Sequence, residues 1–220
     1  MNRLELVKRL SREAGVNQFG PSSTLNQTGE YLRLVDWIDT AYDNVQTTHA
    51  TWQFLRKEFT LSLTAGVAEY APSLIVDFAE WIDDDLRVYQ QASDEQIIEY
   101  VPWELFRLGY LIGTQRNQTG RPSIFTIKPD ETIVFFPIPN NSFTCKGEYY
   151  QTPDVMTNDA SEPIFPVRFH LAILWRALML YGAYSQEPDK YSVGQSEYKV
   201  AMRGLEKSQL PHITWGEPLA

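Results

Sequence analysis

The apolar residues of this 220-residue chain change period twice, and that change limits the folds open to it. From Met1 to about Lys57 they recur at helical spacing; from Phe59 to Pro153 the chain shows short apolar runs, alternation and turn residues; from Pro166 to about Leu210 the helical period returns. A period near 3.6 lines one face of a helix, whereas alternation lines one face of a strand. The order predicts an α+β fold: a helical bundle from the N- and C-terminal halves, an inserted antiparallel β domain and an extended C-terminal arm. The expected boundaries are 1–57 and 156–210 for the helical halves, 58–155 for the β-rich insertion and 211–220 for the arm.

Local signals refine this. Leu4, Val7, Leu10 and Ala14 predict a helix that Gly15 stops, followed by a polar loop from Asn17 to Gly29. Leu34, Ile38, Ala41, Val45, Trp52 and Leu55 share one stripe, so one helix is predicted from Glu30 to Lys57, about 40 Å long at roughly 1.5 Å per residue. Phe59, Leu61 and Leu63 alternate as a half-buried strand, and Val67–Tyr70 can pair back on it across the Thr64-Ala65-Gly66 turn. Asp83-Asp84-Asp85 reads as a solvated acidic turn leading into a strand that ends at Tyr89. Asp94–Gly109 is ambiguous, with Pro102 suited to the first turn of a short helix. Three antiparallel strands follow, Ile124–Ile127, Thr132–Phe136 and Phe143–Tyr149, and the second, apolar on both faces, should be central in its sheet. A helix from Pro166 to Ser185 is apolar nearly all round and must be surrounded by protein; a more polar helix from Tyr191 to Ser208 ends at Pro211.

Charge and motifs narrow the function. The net charge is −9, and Arg3, Lys8, Arg9 and Arg12 are interleaved with Glu5 and Glu13, so no basic cluster grips a phosphate backbone. An acidic surface that nucleic acid slides past fits this balance. The single cysteine, Cys145, permits no internal disulfide and points to a reducing compartment. Met1–Glu5 has no apolar signal core, and no apolar run reaches the roughly 18 residues of a membrane span, so no membrane partner is expected. Asp83–Asp85 lacks the alternate spacing, turn glycine and distal glutamate of a calcium loop. His49, His170 and His212 have no partner at metal-ligand spacing, and neither phosphate-cradling nor nucleophile-elbow motifs occur. Asp36, Asp39 and Asp43 share a helix face, with Arg33 three residues from Asp36, which reads as a solvated ion-pair face. No catalytic residue, metal or cofactor is expected.

The aromatics carry more. They make up 13% of the chain, and Trp37, Tyr42, Trp52 and Trp175 are assigned to the core or to a subunit interface. Ile213, Trp215 and Leu219 lie beyond Pro211, where an isolated segment cannot form a core of its own. Either it folds back on its own subunit, or Pro211, Ile213, Trp215 and Leu219 anchor in another protein, with the tryptophan as hot spot.

Several stretches together resemble the head-to-tail adaptor (head completion) proteins of tailed bacteriophages. They are Gly29-Glu30-Tyr31-Leu32-Arg33-Leu34-Val35-Asp36-Trp37-Ile38 with Ala41-Tyr42 and Trp52, then Gly120-Arg121-Pro122, Val134-Phe135-Phe136-Pro137-Ile138-Pro139 and Tyr149-Tyr150-Gln151-Thr152-Pro153, and finally Pro163-x-x-Pro166 before the apolar helix. The resemblance implies a non-enzymatic homo-oligomeric ring, a dodecamer matching the portal, in the virion neck after assembly in the host cytoplasm. Its partners would be the portal protein, held by the C-terminal arm, and a tail or nozzle protein facing the β part; genomic DNA would pass through the hole without specific binding. Two alternatives remain: another neck component, such as a nozzle or tail-completion protein, and an enzyme with an unrecognised site, such as a cell-wall hydrolase.

Overall fold

The computed structural model describes residues 1–211. In chain order its elements are α1 (Arg3–Ala14), α2 (Gly29–Thr47), β1 (Arg56–Leu63), β2 (Glu69–Tyr70), β3 (Phe78–Tyr89), β4 (Gln96–Ile97), β5 (Glu99–Tyr100), α3 (Trp103–Gly109), β6 (Thr119–Gly120), β7 (Ile124–Ile127), β8 (Ile133–Phe136), β9 (Ile138–Pro139), β10 (Phe143–Gln151), α4 (Leu171–Ser185) and α5 (Pro188–Gln209). The fold is α+β. Two units share these elements: Met1–Phe54 with the chain from Pro153 onward, which is helical, and Leu55–Thr152, which holds the strands and α3.

In the helical unit, α1 starts with a reciprocal cap. The Asn2 side chain accepts from the Glu5 N–H, and the Glu5 carboxylate accepts from the Asn2 N–H. The helix stops at Gly15, whose φ of 75° lies in the left-handed region open to glycine at little cost. Leu6, Val7, Leu10 and Ala14 are its buried face. α4 packs against α1, α2 and α5, which is why its sequence is apolar nearly all round. α5 opens on Pro188 in its first turn, where a missing N–H costs nothing. It approaches α4 closely because Gly194 has no side chain: a Cβ there would lie 2.9 Å from the Trp175 carbonyl oxygen.

The long helix predicted to reach Lys57 is shorter. α2 ends at Thr47, 19 residues from its start, about 28 Å at roughly 1.5 Å per residue. The Thr47 hydroxyl donates to the Asp43 carbonyl at 2.9 Å and that of Thr48 to the Asn44 carbonyl at 2.7 Å, local bonds that compete with continuing the helix. The Trp52 indole N–H then donates to the Val45 carbonyl at 3.2 Å, so this side chain returns, fully buried, to the helix end it was expected to extend. Arg56 and Lys57, read as helix, begin β1.

In the β unit, one sheet has the strand order β1-β10-β3-β4 and the other β2-β8-β7-β5; β6 and β9 form a short parallel pair. The inner faces of both sheets share one core. Phe59, Leu61 and Leu63 of β1, Leu86 and Val88 of β3 and Cys145 of β10 come from the first; Tyr70, Phe125, Ile133 and Phe135 come from the second. Val134 and Phe136 point the other way, against Phe106 of α3. β8 is therefore buried at all four positions, and it is central, as its double-faced apolar run requires.

Two pairing expectations and one expected turn fail. β2 pairs with β8, not with β1. β10 lies between β1 and β3 and not beside β8, so the expected three-strand series is split between the sheets. Asp83–Asp85 lies inside β3, a 12-residue strand, and not in a turn before it. There the register against β10 jumps from Arg87↔Lys146 to Ile82↔Glu148, so Asp83–Leu86 bulge opposite Gly147. A Cβ on Gly147 would lie 2.9 Å from the Phe59 ring and 3.0 Å from Leu86 Cδ1, so the glycine is what lets Leu86 into the core.

Candidate functional site

Polar side chains tie the helical unit together through bonds distant in sequence. The Arg3 guanidinium, 8% exposed, forks onto the Asp39 carboxylate, donating to Oδ1 at 3.0 Å, and also donates to Thr24 Oγ1 at 3.1 Å. The Thr24 N–H and hydroxyl both donate to Asp159 Oδ1 at 2.6 Å, and these bonds hold the Asp159 carboxyl below the usual carboxylate range. Asp39 is thus a structural ligand of Arg3 and not part of a solvated face. Arg33, expected to pair with Asp36, instead stacks its guanidinium on Tyr184, 4.7 Å from the ring centre, and donates to the tyrosine hydroxyl.

A second lock holds the returning chain on α2. The buried Tyr42 hydroxyl donates to Asp154 Oδ2 at 2.9 Å and accepts the Ile164 N–H at 3.0 Å; burial pushes its phenol well above the usual value. Gln46, also buried, exchanges two bonds with the Asp154 backbone. His170 is 1% exposed. Its Nε2–H donates to the Phe165 carbonyl at 2.9 Å, and Nδ1 accepts from the Met1 amino group at 2.9 Å. Burial moves its pKa down, favouring the neutral ring.

The aromatic residues singled out in the sequence fall into two environments. Tyr42 and Trp52 are buried and connect through Phe165 and Phe54, at ring separations of 5.2–6.0 Å. Trp37 and Trp175 are half-buried, Trp37 lying edge-on to Tyr181 and tilted against the exposed Tyr184. Pro211 is exposed; Ile213, Trp215 and Leu219 lie outside the described residues.

The β unit offers two grooves. One, about 340 Å³, opens above Gly147 between the charges of Glu58, Asp85, Arg87, Glu95, Lys146 and Glu148. These charges are largely spent on one another: Arg87 pairs with Asp85 at 2.5 Å, and Arg56 pairs with Glu148. The other, about 400 Å³, sets Glu80, Asp83, Glu104 and Glu131 around Trp81, Tyr100 and Trp103, with Lys128 as the cation. Burial, then the charges of Glu80 and Asp130, push the Glu131 carboxyl up. Neither groove pairs a nucleophile with a base. Cys145 is wholly buried and its thiol is pushed up to about 12, so it carries no thiolate reactivity. Among the described residues no group of three or more His, Cys, Asp or Glu could hold a metal ion, and no helix is long and apolar enough to cross a membrane.

Two helices carry regular outward faces: that of α2 was read in the sequence as a solvated face, with Asp39 wrongly included, and that of α5 was missed although its spacing was legible. Arg33, Asp36, Thr40, Asp43 and Thr47 are exposed along α2 at alternating steps of three and four. Val193, Ser196, Val200, Arg203 and Lys207 are exposed along α5 at the same steps, with Lys199 beside Val200. Attention to apolar periodicity selects the buried stripes and passes over a regular polar one on the opposite side.

The side chains described so far tie distant segments of the chain together, and neither groove sets a nucleophile beside a base. The sequence model of one protein family, described as SU10 adaptor protein, matches residues 1–217, and the chain belongs to that family. No curated protein matches it. The family is one of structural phage adaptors and not of enzymes, so the chain is a phage adaptor protein and a component of the virion.

Proposed function

We propose that the chain is the head-to-tail adaptor of a tailed phage: a ring of twelve copies that binds the portal, receives a tail or nozzle protein and leaves a channel for DNA. The observation that carries this reading is the family match, which runs through both units and not one alone. The charge supports it, since a chain at −9 repels the phosphate backbone and lets DNA pass without holding it. In this reading the helical halves, residues 1–57 and 156–210, build the ring wall, and the insertion, 58–155, meets the tail. Trp37 and Trp175, which keep exposed edges, contribute to the seam between subunits, and the segment carrying Pro211, Ile213, Trp215 and Leu219 anchors on the portal. Imaging the neck of the assembled particle at side-chain resolution tests this. The expected result is a closed ring of this chain directly below the portal; density for it elsewhere in the particle, or as single copies, would overturn the reading.

A further inference from the structure

We infer that the basic face of α5 in one copy docks on the acidic face of α2 in a second copy, and that this contact is the repeating seam of the ring. The inference rests on the ring reading and adds the residues that make it. The C-terminal half of α5 exposes Lys199, Arg203 and Lys207, while its exposed anions, Asp189 and Glu197, lie nearer its start; α2 exposes Asp36 and Asp43, with Glu30 in its first turn and Arg33 turned onto Tyr184. Among the described residues none of Lys199, Arg203, Lys207, Asp36 and Asp43 has an ion-pair partner, whereas Asp39 on the same helix as Asp36 is bound by Arg3. Val193 and Val200, 52% and 67% exposed, stand on the α5 face one heptad apart, apolar positions that a folded single copy leaves in water. Matching steps of three and four on both helices let two such faces pack along their length.

Charge decides the occupant. The C-terminal half of α5 against itself, or α2 against α2, sets like charges together, which costs affinity, whereas the C-terminal half of α5 against α2 pairs opposite ones. α4 packs against both α2 and α5, so the two faces belong to two different helices that share one central helix. A copy that has docked one face still offers the other, which is the condition for a heterologous contact to propagate around a ring.

Sedimentation velocity of the full chain over a concentration series at low ionic strength tests the seam. The wild type is expected to form species larger than a dimer that dissociate as salt is raised. Asp36→Lys with Asp43→Lys, and separately Lys199→Glu with Arg203→Glu, are each expected to weaken association on the order of a hundredfold. These positions are exposed, so unchanged melting of each variant separates the effect from misfolding. Mixing the two variants in equal amounts is expected to restore assembly, because each supplies the face that complements the other. If both variants associate as well as the wild type, the ring stands and these faces are not its seam. If assembly stops at a dimer, the propagating contact is wrong. A wild type that stays monomeric throughout overturns self-assembly itself. If Lys199→Glu with Arg203→Glu abolishes retention of a duplex DNA fragment while leaving association intact, the basic face belongs to DNA and the seam is refuted.

Discussion

Thr126 shows how a single side chain can be a liability inside a sound core. It is fully buried in β7, and its Oγ1 has no hydrogen-bond partner among the described residues. A buried hydroxyl without a partner loses its water and gains nothing in return. Thr126→Val keeps the branched shape and removes the polar atom, so the variant is expected to be more stable by about 1 kcal/mol, read as a higher urea midpoint at unchanged slope. A lower midpoint would mean that the hydroxyl is satisfied after all. His170 is the contrasting case, buried and fully bonded. Its pKa is depressed in the fold, chiefly by burial, while an unfolded histidine protonates near about 6.5. Below that value the unfolded state binds more protons than the folded one, so stability rises with pH through this window and is lost as acid approaches the folded pKa. The Met1 amino group adds to the depression, and Glu162 and the Phe165 carbonyl oppose it. Comparing unfolding at about pH 7.5 and about pH 5.5, the wild type is expected to lose more stability than His170→Asn, which has no proton to bind.

Among the elements, α4 and α5 were readable because each has a long periodic pattern, and their mutual distance was not, because it depends on what is missing. At Gly194 an added Cβ would meet the Trp175 carbonyl oxygen at 2.9 Å and the Met179 side chain at 3.0 Å. Backbone cannot swing aside as a side chain does, so the helices must separate. Gly194→Ala is expected to cost about 1–3 kcal/mol despite alanine's better helix propensity, measured by urea unfolding; a stabilised variant would show that the two helices can part without loss. The same distinction runs through the fold. Apolar periodicity revealed the helical halves, the Gly15 stop and the central place of β8. It misplaced the end of α2, because Trp52 sits on the helical stripe in sequence but reaches its buried place by a turn, with its indole bonded to Val45. It also misassigned the partners of β2 and β10, since period tells which face a strand buries and not which strand lies beside it. Asp83–Asp85 read as a turn because three aspartates in a row suit solvent; the bulge opposite Gly147 lets them stay in a strand. Of the candidate site, the charged face of α2 was legible in Asp36 and Asp43, although Asp39 belongs to Arg3, and the charged stripe on α5 was not seen, because exposed polar order stabilises no core and leaves no apolar signal.

At the scale of the whole molecule, the ring proposed above asks for two kinds of contact, with other copies and with the portal, and it places them apart in sequence. The α2 and α5 faces lie in the helical unit, whereas Ile213, Trp215 and Leu219 follow Pro211, after the last turn of α5 has been closed by the Leu210 N–H on the Glu206 carbonyl. Removing Pro211–Ala220 leaves in the chain every helix and strand of the described residues. The truncated chain is expected to melt as the full chain does and to self-associate as it does, yet to lose co-purification with the portal protein. Trp215→Ala alone should remove much of that binding, since a central tryptophan anchor is commonly worth about 2 kcal/mol or more, roughly thirtyfold in affinity. Co-purification of the truncated chain at full yield would place the portal contact elsewhere on the chain. Loss of self-association on truncation would show instead that the segment reaches a neighbouring copy, so that the seam and the anchor are one surface and not two.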